Sequence, residues 1–380
     1  MPAPDAPPAS AAPTSAAPCG PRRPGRLVAG LLIAGLAALL FLVLEGGAGV
    51  LLAVYEAARG PDGPTHTRYD ALLGWVNAPG VSLQNAWGPG NNLHISPEGF
   101  RGSGPETPVS GGRQRVLCVG DSFTFGEGVD DDDVWCNLLA NDSLHTLNLG
   151  QPGYGVDQAF LRYRRDGAGL PHDVVVFAFI GGDLTRMGRS SHHGYAKPVL
   201  AVEGDSLVVR GVPVPRVIPR LNRFVIDVSE HLRTVELAGR LLRRLTGPAV
   251  SHADREHRRV APLATRVLVA VHDLANVAGA TPVFVYLPIR AEMVRDGLWR
   301  SWVRTTMDSL GYPLVDLTDS LRGFPATLAA DLFIPEGAPA GGHYSRRGNA
   351  WVADVLRPWV RGAEIGPDGR SVADSPSGPG

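Results

Sequence analysis

Val116, Leu117, Cys118, Val119, Gly120, Asp121, Ser122, Phe123, Thr124, Phe125 and Gly126 form the stretch on which the reading of this chain turns. Four apolar residues in succession fit a strand buried on both faces, and a serine follows two residues after the run ends. In open α/β sheets ligands collect at the carboxyl ends of strands, which puts the Ser122 hydroxyl at a chemically useful place. The stretch is not the G-x-S-x-G turn of α/β-hydrolases, because Asp121 directly precedes the serine and Thr124 stands where the second glycine belongs. A serine beside an aspartate at a strand end is also an ordinary helix cap, so Ser122 acquires meaning only from partners elsewhere.

Outward from this stretch, short apolar runs recur at residues 146–149, 174–180, 283–287 and 314–317, separated by helical patterns. Helices are expected at residues 156–165, at 266–278 closed by Gly279, and at 347–360, where Trp351, Val355, Leu356 and Trp359 share one face. Alternation of this kind predicts an α/β three-layer sandwich built on a parallel sheet. Residues 195–216 break the pattern with two short runs about Glu203, Gly204 and Asp205, as a β-hairpin would. With an amphipathic segment at 229–245, they mark residues 187–259 as an insertion into a domain spanning 64–361.

Residues 1–26 are mostly Pro, Ala and Ser and bury too little apolar surface to offset chain entropy, as do residues 362–380 with their polar, Gly- and Pro-rich composition. Both are expected to be disordered tails. Residues 27–44 form an unbroken apolar run about 27 Å long as a helix, close to the roughly 30 Å of a hydrocarbon core. The anchor is therefore placed at residues 27–54. Arg22, Arg23 and Arg26 crowd its first flank, so the N-terminus is expected in the cytoplasm and the domain outside, on a single-pass membrane protein. A cleaved signal peptide is the competing reading, disfavoured by the length of the run and the lack of a small-residue cleavage site.

With 36 Lys and Arg against 37 Asp and Glu, the charge gives no reason to expect nucleic acid as a partner. The three cysteines are widely spaced and form no C-x-x-C pair, so neither a metal site nor a disulfide framework is expected; Cys118 and Cys136 read as small buried hydrophobes. Asp130 to Asp133 fit a solvated loop before a helix rather than a metal site, and His192 and His193 fit an exposed polar turn. No cofactor is required.

Further residues give Ser122 its partners. Val119, Gly120, Asp121, Ser122 and the following Phe-Thr-Phe-Gly-Glu-Gly-Val strongly resemble the first motif of the SGNH, or GDSL-like, hydrolases in their bacterial membrane-anchored branch. Asn148, Leu149, Gly150, Gln151, Pro152 and Gly153 resemble the second motif, and Gly342, His343, Tyr344, Ser345 and Gly348 the last. Leu73, Gly74 and Trp75, then Ser96 through Gly102, and Lys197 with Pro198, resemble the same branch, so the likeness covers roughly residues 69–360. It implies an SGNH fold, Ser122 as nucleophile, His343 as general base, and an oxyanion hole using the backbone N–H groups of Ser122 and Gly153. Two departures stand out. Gly182 takes the place of an asparagine that usually completes the oxyanion hole, and Ala340 and Gly341 stand where an aspartate usually precedes the histidine. Support for the imidazole is then sought from Asp183, or from Glu336 or Asp331. The expected activity is an esterase or acyl hydrolase outside the cytoplasm, acting on O-acyl esters of a glycan or envelope component. The alternatives are an O-acyltransferase and a weakly active or inactive carbohydrate-binding or envelope-assembly protein.

Overall fold

The computed structural model describes residues 25–59, 66–105, 113–192, 194–216 and 252–361. The two tails and the amphipathic segment at 229–245 lie outside the described residues, apart from the junctions at residues 25–26. The first element is the helix α1, Arg26–Arg59, in which Val28–Gly49 has a mean hydropathy of 2.5 and is long and apolar enough to cross a membrane or serve as a signal sequence.

Two small antiparallel pairs follow, β1 (Thr67–Asp70) with β2 (Gly74–Asn77), and β3 (Ser82–Leu83) with β4 (Leu93–His94). The main sheet comprises β5 (Gln114–Val119), β6 (Leu144–Asn148), β7 (Val174–Phe179), β12 (Thr281–Tyr286) and β13 (Leu314–Asp316). All neighbours are parallel and the spatial order is β13-β12-β7-β5-β6. Because β6 and β7 flank β5 on opposite sides, the winding reverses there, opening a crevice at the carboxyl ends of β5 and β7.

Side chains alternate between the two faces as the period of a strand requires. Leu117 and Val119 of β5, Phe177 and Phe179 of β7, and Phe284 and Tyr286 of β12 enter one core. Val116 and Cys118, Val176 and Ala178, and Val283 and Val285 enter the other. The first core is closed by α4 (Val156–Arg162), α6 (His252–Val277) and α7 (Arg300–Leu310), the second by α3 (Trp135–Leu138), α8 (Thr318–Arg322), α9 (Ala326–Asp331) and α10 (Arg346–Val360). Each large apolar side chain removed from water here contributes roughly 1.5–3 kcal/mol, which is what holds the three layers together.

The insertion begins with the short pair β8 (Ser191–His192) and β9 (Tyr195–Ala196), followed by the hairpin β10 (Val199–Glu203) and β11 (Ser206–Arg210), which turns at Gly204 as its sequence predicts. Lys197 fastens it: its ammonium donates to Asp157 of α4 at 2.6 Å, and both side chains are buried.

Two sequence expectations are corrected. Cys118 and Cys136 are not independent thiols but a disulfide, with Cα atoms 6.3 Å apart. The chain between them, 18 positions apart, brings α3 back onto the face of β5 from which Cys118 projects, a juxtaposition that no local spacing reveals. The four aspartates are also more than a solvated loop. Asp131 lies 2.6 Å from the fully buried Arg101 guanidinium, and Asp133 lies 2.7 Å from Arg346. Desolvation raises the pKa of Asp131 even though Arg101 pulls against it.

Candidate active site

Ser122 opens the single turn α2 (Ser122–Phe125) at the end of β5. Asp121 caps this turn by accepting from the Phe123 amide at 2.9 Å, and Gly126 ends it, donating to the Ser122 carbonyl at 3.0 Å. The serine hydroxyl is thereby fixed at the carboxyl edge of the sheet. It is 5% exposed, enough to face a cavity and too little to be an idle surface group.

His343 arrives from the far end of the chain, just before α10. Its loop is clamped to the preceding segment, with the Ile334 amide donating to the His343 carbonyl at 2.8 Å and the Gly342 amide to the Ile334 carbonyl at 2.9 Å. Nε2 of the ring lies 2.8 Å from Ser122 Oγ, and Nδ1 lies 3.0 Å from the Ala340 carbonyl. A carbonyl only accepts, so Nδ1 carries the proton and the Nε2 lone pair faces the hydroxyl. That is the tautomer a base needs. Ala340 adopts a positive φ of 59°, uncommon outside glycine, in presenting that carbonyl.

No carboxylate among the described residues orients Nδ1. Asp183 faces away from His343: it accepts from the Ile180 amide at 3.0 Å and pairs with Arg186, closing the start of α5 (Gly181–Arg186). Burial and the Asp121 charge push its pKa well up. Glu336 is exposed and Asp331 is turned toward Arg347 at 3.2 Å. The sequence expectation of carboxylate support from these residues is therefore corrected; the backbone takes that place because the loop folds its own carbonyl back onto the ring.

Glu127 was not singled out from sequence, and it lies 3.7 Å from Nε2, on the same side of the ring as the serine. Burial raises its pKa, with His343 opposing and Asp121 adding to the effect. It lies five residues past Ser122, where the α2 turn and Gly126 reverse the chain, so the reversal itself was the available signal.

The Ser122 and Gly153 amides donate to no other group among the described residues. Gly153 has φ of +79°, which a side chain would strain, and its loop is braced from three directions. Trp75 Nε1 donates to the Pro152 carbonyl at 2.9 Å, Asn148 Nδ2 to the Thr124 carbonyl at 2.8 Å, and the Gly150 amide to Asn148 Oδ1 at 2.8 Å. At Gly150 a Cβ would fall 2.2 Å from the Phe125 amide nitrogen, so only glycine lets this loop lie against the serine turn.

Ser122, His343, Glu127 and Gly153 line a cavity of about 290 Å³ whose remaining wall comprises Trp75, Pro152, Arg186 and, from the insertion, His192 and Tyr195, with His66 and Thr67 at its edge. His192 is therefore partly enclosed at the cavity, not in an open turn, while His193 lies outside the described residues. His66 is held neutral near pH 7, its pKa pushed down to about 4 by burial and then by Arg101. His172 is used structurally, bonded to Tyr163 and the Leu170 carbonyl. A larger cavity, of about 520 Å³ near His94 and Asp131, contains neither Ser122 nor His343. A hydroxyl, a correctly tautomeric base and two amides free of other acceptors among the described residues can together perform acyl transfer.

No family model matches the chain, and no curated protein matches it. Among solved structures the chain is similar to a member of the lipolytic protein G-D-S-L family from Veillonella parvula, at 13% identity and a TM-score of 0.36, covering 64% of this chain and 96% of that one. It is also similar to the lipase/acylhydrolase from Enterococcus faecalis, at 13% identity and a TM-score of 0.37, covering 66% and 96%. A carbohydrate acetylesterase family member from Sinorhizobium meliloti is similar at 12% identity and a TM-score of 0.32, covering 66% and 98%.

Proposed function

We propose that the chain is a serine ester hydrolase of the SGNH type, anchored in the membrane by α1, with its catalytic domain outside the cytoplasm. The observation that carries the reading is the 2.8 Å contact between Ser122 Oγ and His343 Nε2, with Nδ1 held by the Ala340 carbonyl. Ser122 Oγ attacks the ester carbonyl carbon while its proton passes to Nε2, and the developing oxyanion accepts from the Ser122 and Gly153 amides. The carbon–oxygen bond to the leaving group then breaks, and that oxygen takes the proton from Nε2. Water adds to the acyl-serine with His343 again as base, releasing the carboxylic acid and restoring Ser122.

An external location is supported by the Cys118–Cys136 disulfide, which persists in oxidising compartments, and by the arginines on one flank of α1. The cavity suits a small acyl group better than a long chain, and an O-acylated glycan or envelope ester is the substrate class that meets both constraints. If a hydroxyl replaces water in the second step, the same acyl-serine yields an O-acyltransferase. A binding protein without turnover is the rival, favoured by the absence of a carboxylate on Nδ1.

Full-length protein in detergent should be labelled by a fluorophosphonate probe and should hydrolyse p-nitrophenyl acetate. Ser122→Ala should abolish the labelling, and His343→Ala should lower kcat by about four orders of magnitude or more. Folded wild type that neither labels nor turns over would overturn the hydrolase reading in favour of the rival.

A further inference from the structure

Ser122 and Gly153, whose amides have no other acceptor among the described residues, line the cavity, and a charged donor, Arg186, bridges the turns that carry them. Arg186 ends α5, which follows β7 across the crevice from Ser122. Its Nη1 donates to the carbonyl of Tyr154, the residue after Gly153, at 2.9 Å. The same nitrogen lies 3.4 Å from Oδ2 of Asp121, the residue before Ser122, and also bonds Asp183. One guanidinium nitrogen thus ties together the two turns that present the Ser122 and Gly153 amides. The other nitrogen, Nη2, has no acceptor among the described residues, although Arg186 lines the cavity containing Ser122 and His343.

Nothing at Gly182 covers that nitrogen. A Cβ built there would have as its nearest neighbours two Ile180 side-chain atoms, at 3.4 and 3.7 Å, and then Nη2 at 3.8 Å. The side chain is 18% exposed and its charge is anchored by two almost fully buried carboxylates. An arginine serving only to neutralise Asp121 and Asp183 has no reason to leave one nitrogen without an acceptor at the cavity that holds the reacting serine. A guanidinium is also a planar fork with donors on both terminal nitrogens, so using Nη1 for position leaves Nη2 aligned for a second partner.

We propose that Arg186 Nη2 is a third oxyanion donor, donating to the carbonyl oxygen as negative charge develops on it during acylation of Ser122 and again during deacylation. The proposal rests on the serine-hydrolase reading. A fixed cationic donor aimed at charge present only in the transition state lowers the barrier without tightening ground-state binding, so the effect falls on kcat rather than KM.

The test uses full-length protein in detergent with p-nitrophenyl acetate. Wild-type turnover that is lost in His343→Ala establishes the underlying reading first; absence of that turnover removes both readings together. Given turnover, Arg186→Gln should lower kcat about 100-fold to 1,000-fold while KM stays within about twofold. Adding Gly182→Asn to that variant places a carboxamide beside the vacated position and should restore kcat at least tenfold, without repairing the pairing of Asp121 and Asp183. If Arg186→Gln does not fold, Arg186→Lys replaces it, since lysine keeps the charge beside the carboxylates but has no second nitrogen to aim. The proposal is overturned if the folded Arg186 variant keeps kcat within threefold of wild type. It is also overturned if the loss is in KM alone, or if Gly182→Asn recovers nothing.

Discussion

His343 takes its orientation from a neutral carbonyl, so the positive charge it acquires when Ser122 gives up its proton must be balanced elsewhere. Glu127, 3.7 Å from Nε2, is the nearest carboxylate among the described residues. Two unit charges at about 4 Å attract by about 4 kcal/mol at an effective dielectric near 20, and partial exposure of both groups reduces that further. Ionising Glu127 is costly to the fold because burial raises its pKa above the ordinary value of 4.5. The sign of the linkage follows. The folded chain holds this proton more tightly than the unfolded chain, so its contribution to stability is present below pH 4.5 and is lost as pH rises through the raised folded value. Glu127→Gln has the same shape and does not titrate. Urea midpoints from pH 4.5 upward should therefore shift in favour of the variant as pH rises, whereas kcat at pH 7 to 8 should fall about tenfold. A stability difference that is constant with pH would show that the carboxyl titrates alike in both states.

Among the contacts that hold the insertion to the sheet domain is a buried one, where Lys197 meets Asp157 at 2.6 Å with both groups out of water. The ammonium also donates to the Arg186 and Arg189 carbonyls at 3.3 Å, so the same contact steadies the end of α5 and the strands that bring His192 and Tyr195 to the cavity. Removing one member of a buried pair strands the other charge, so Lys197→Met should cost about 3–5 kcal/mol in urea unfolding, and Lys197→Met with Asp157→Leu should recover most of it. A single variant as stable as wild type would mean that the pair is not desolvated. Elements of this size also define what could be read in advance. Most of the strands were legible from runs apolar on both faces, although Gln114 and Arg115 extend β5 beyond its apolar run and β6 starts at Leu144, two residues before the expected run, with His145, Thr146 and Asn148 as polar members. The hairpin was legible from Gly204. Ser122, His343 and Gly153 were legible as an ordered set through the resemblance of their three motifs to those of SGNH hydrolases, since none of them stands out alone. The Lys197–Asp157 pair, the Cys118–Cys136 disulfide and the approach of Arg186 to Tyr154 carried no such signal. Each depends on which helix or strand end lies over which, and the chain separation of 40 residues between Lys197 and Asp157 says nothing of that.

At the scale of the whole molecule, the apolar helix and the disulfide make a joint statement about compartments. Val28–Gly49 would span about 33 Å, a little more than a hydrocarbon core, and its side chains, such as Leu32, Phe41 and Leu44, are more than half exposed. Arg22, Arg23 and Arg26 precede it, the basis of the proposed topology in which the N-terminus is cytoplasmic and everything after the helix lies across the membrane. The three cysteines of the chain are divided by this helix, Cys19 before it and Cys118 and Cys136 after it, so they report on both sides at once. In a reducing cytoplasm Cys19 remains a thiol, whereas an oxidising exterior keeps the other two paired. Alkaline phosphatase fused after Gly380 should accordingly be active. Protein taken from membranes, denatured without reductant and treated with a maleimide should take up one label, and three after reduction. No label before reduction and two after would identify a leader removed on export. Three labels without reduction, together with an inactive phosphatase fusion, would place the domain in the cytoplasm and reverse the topology.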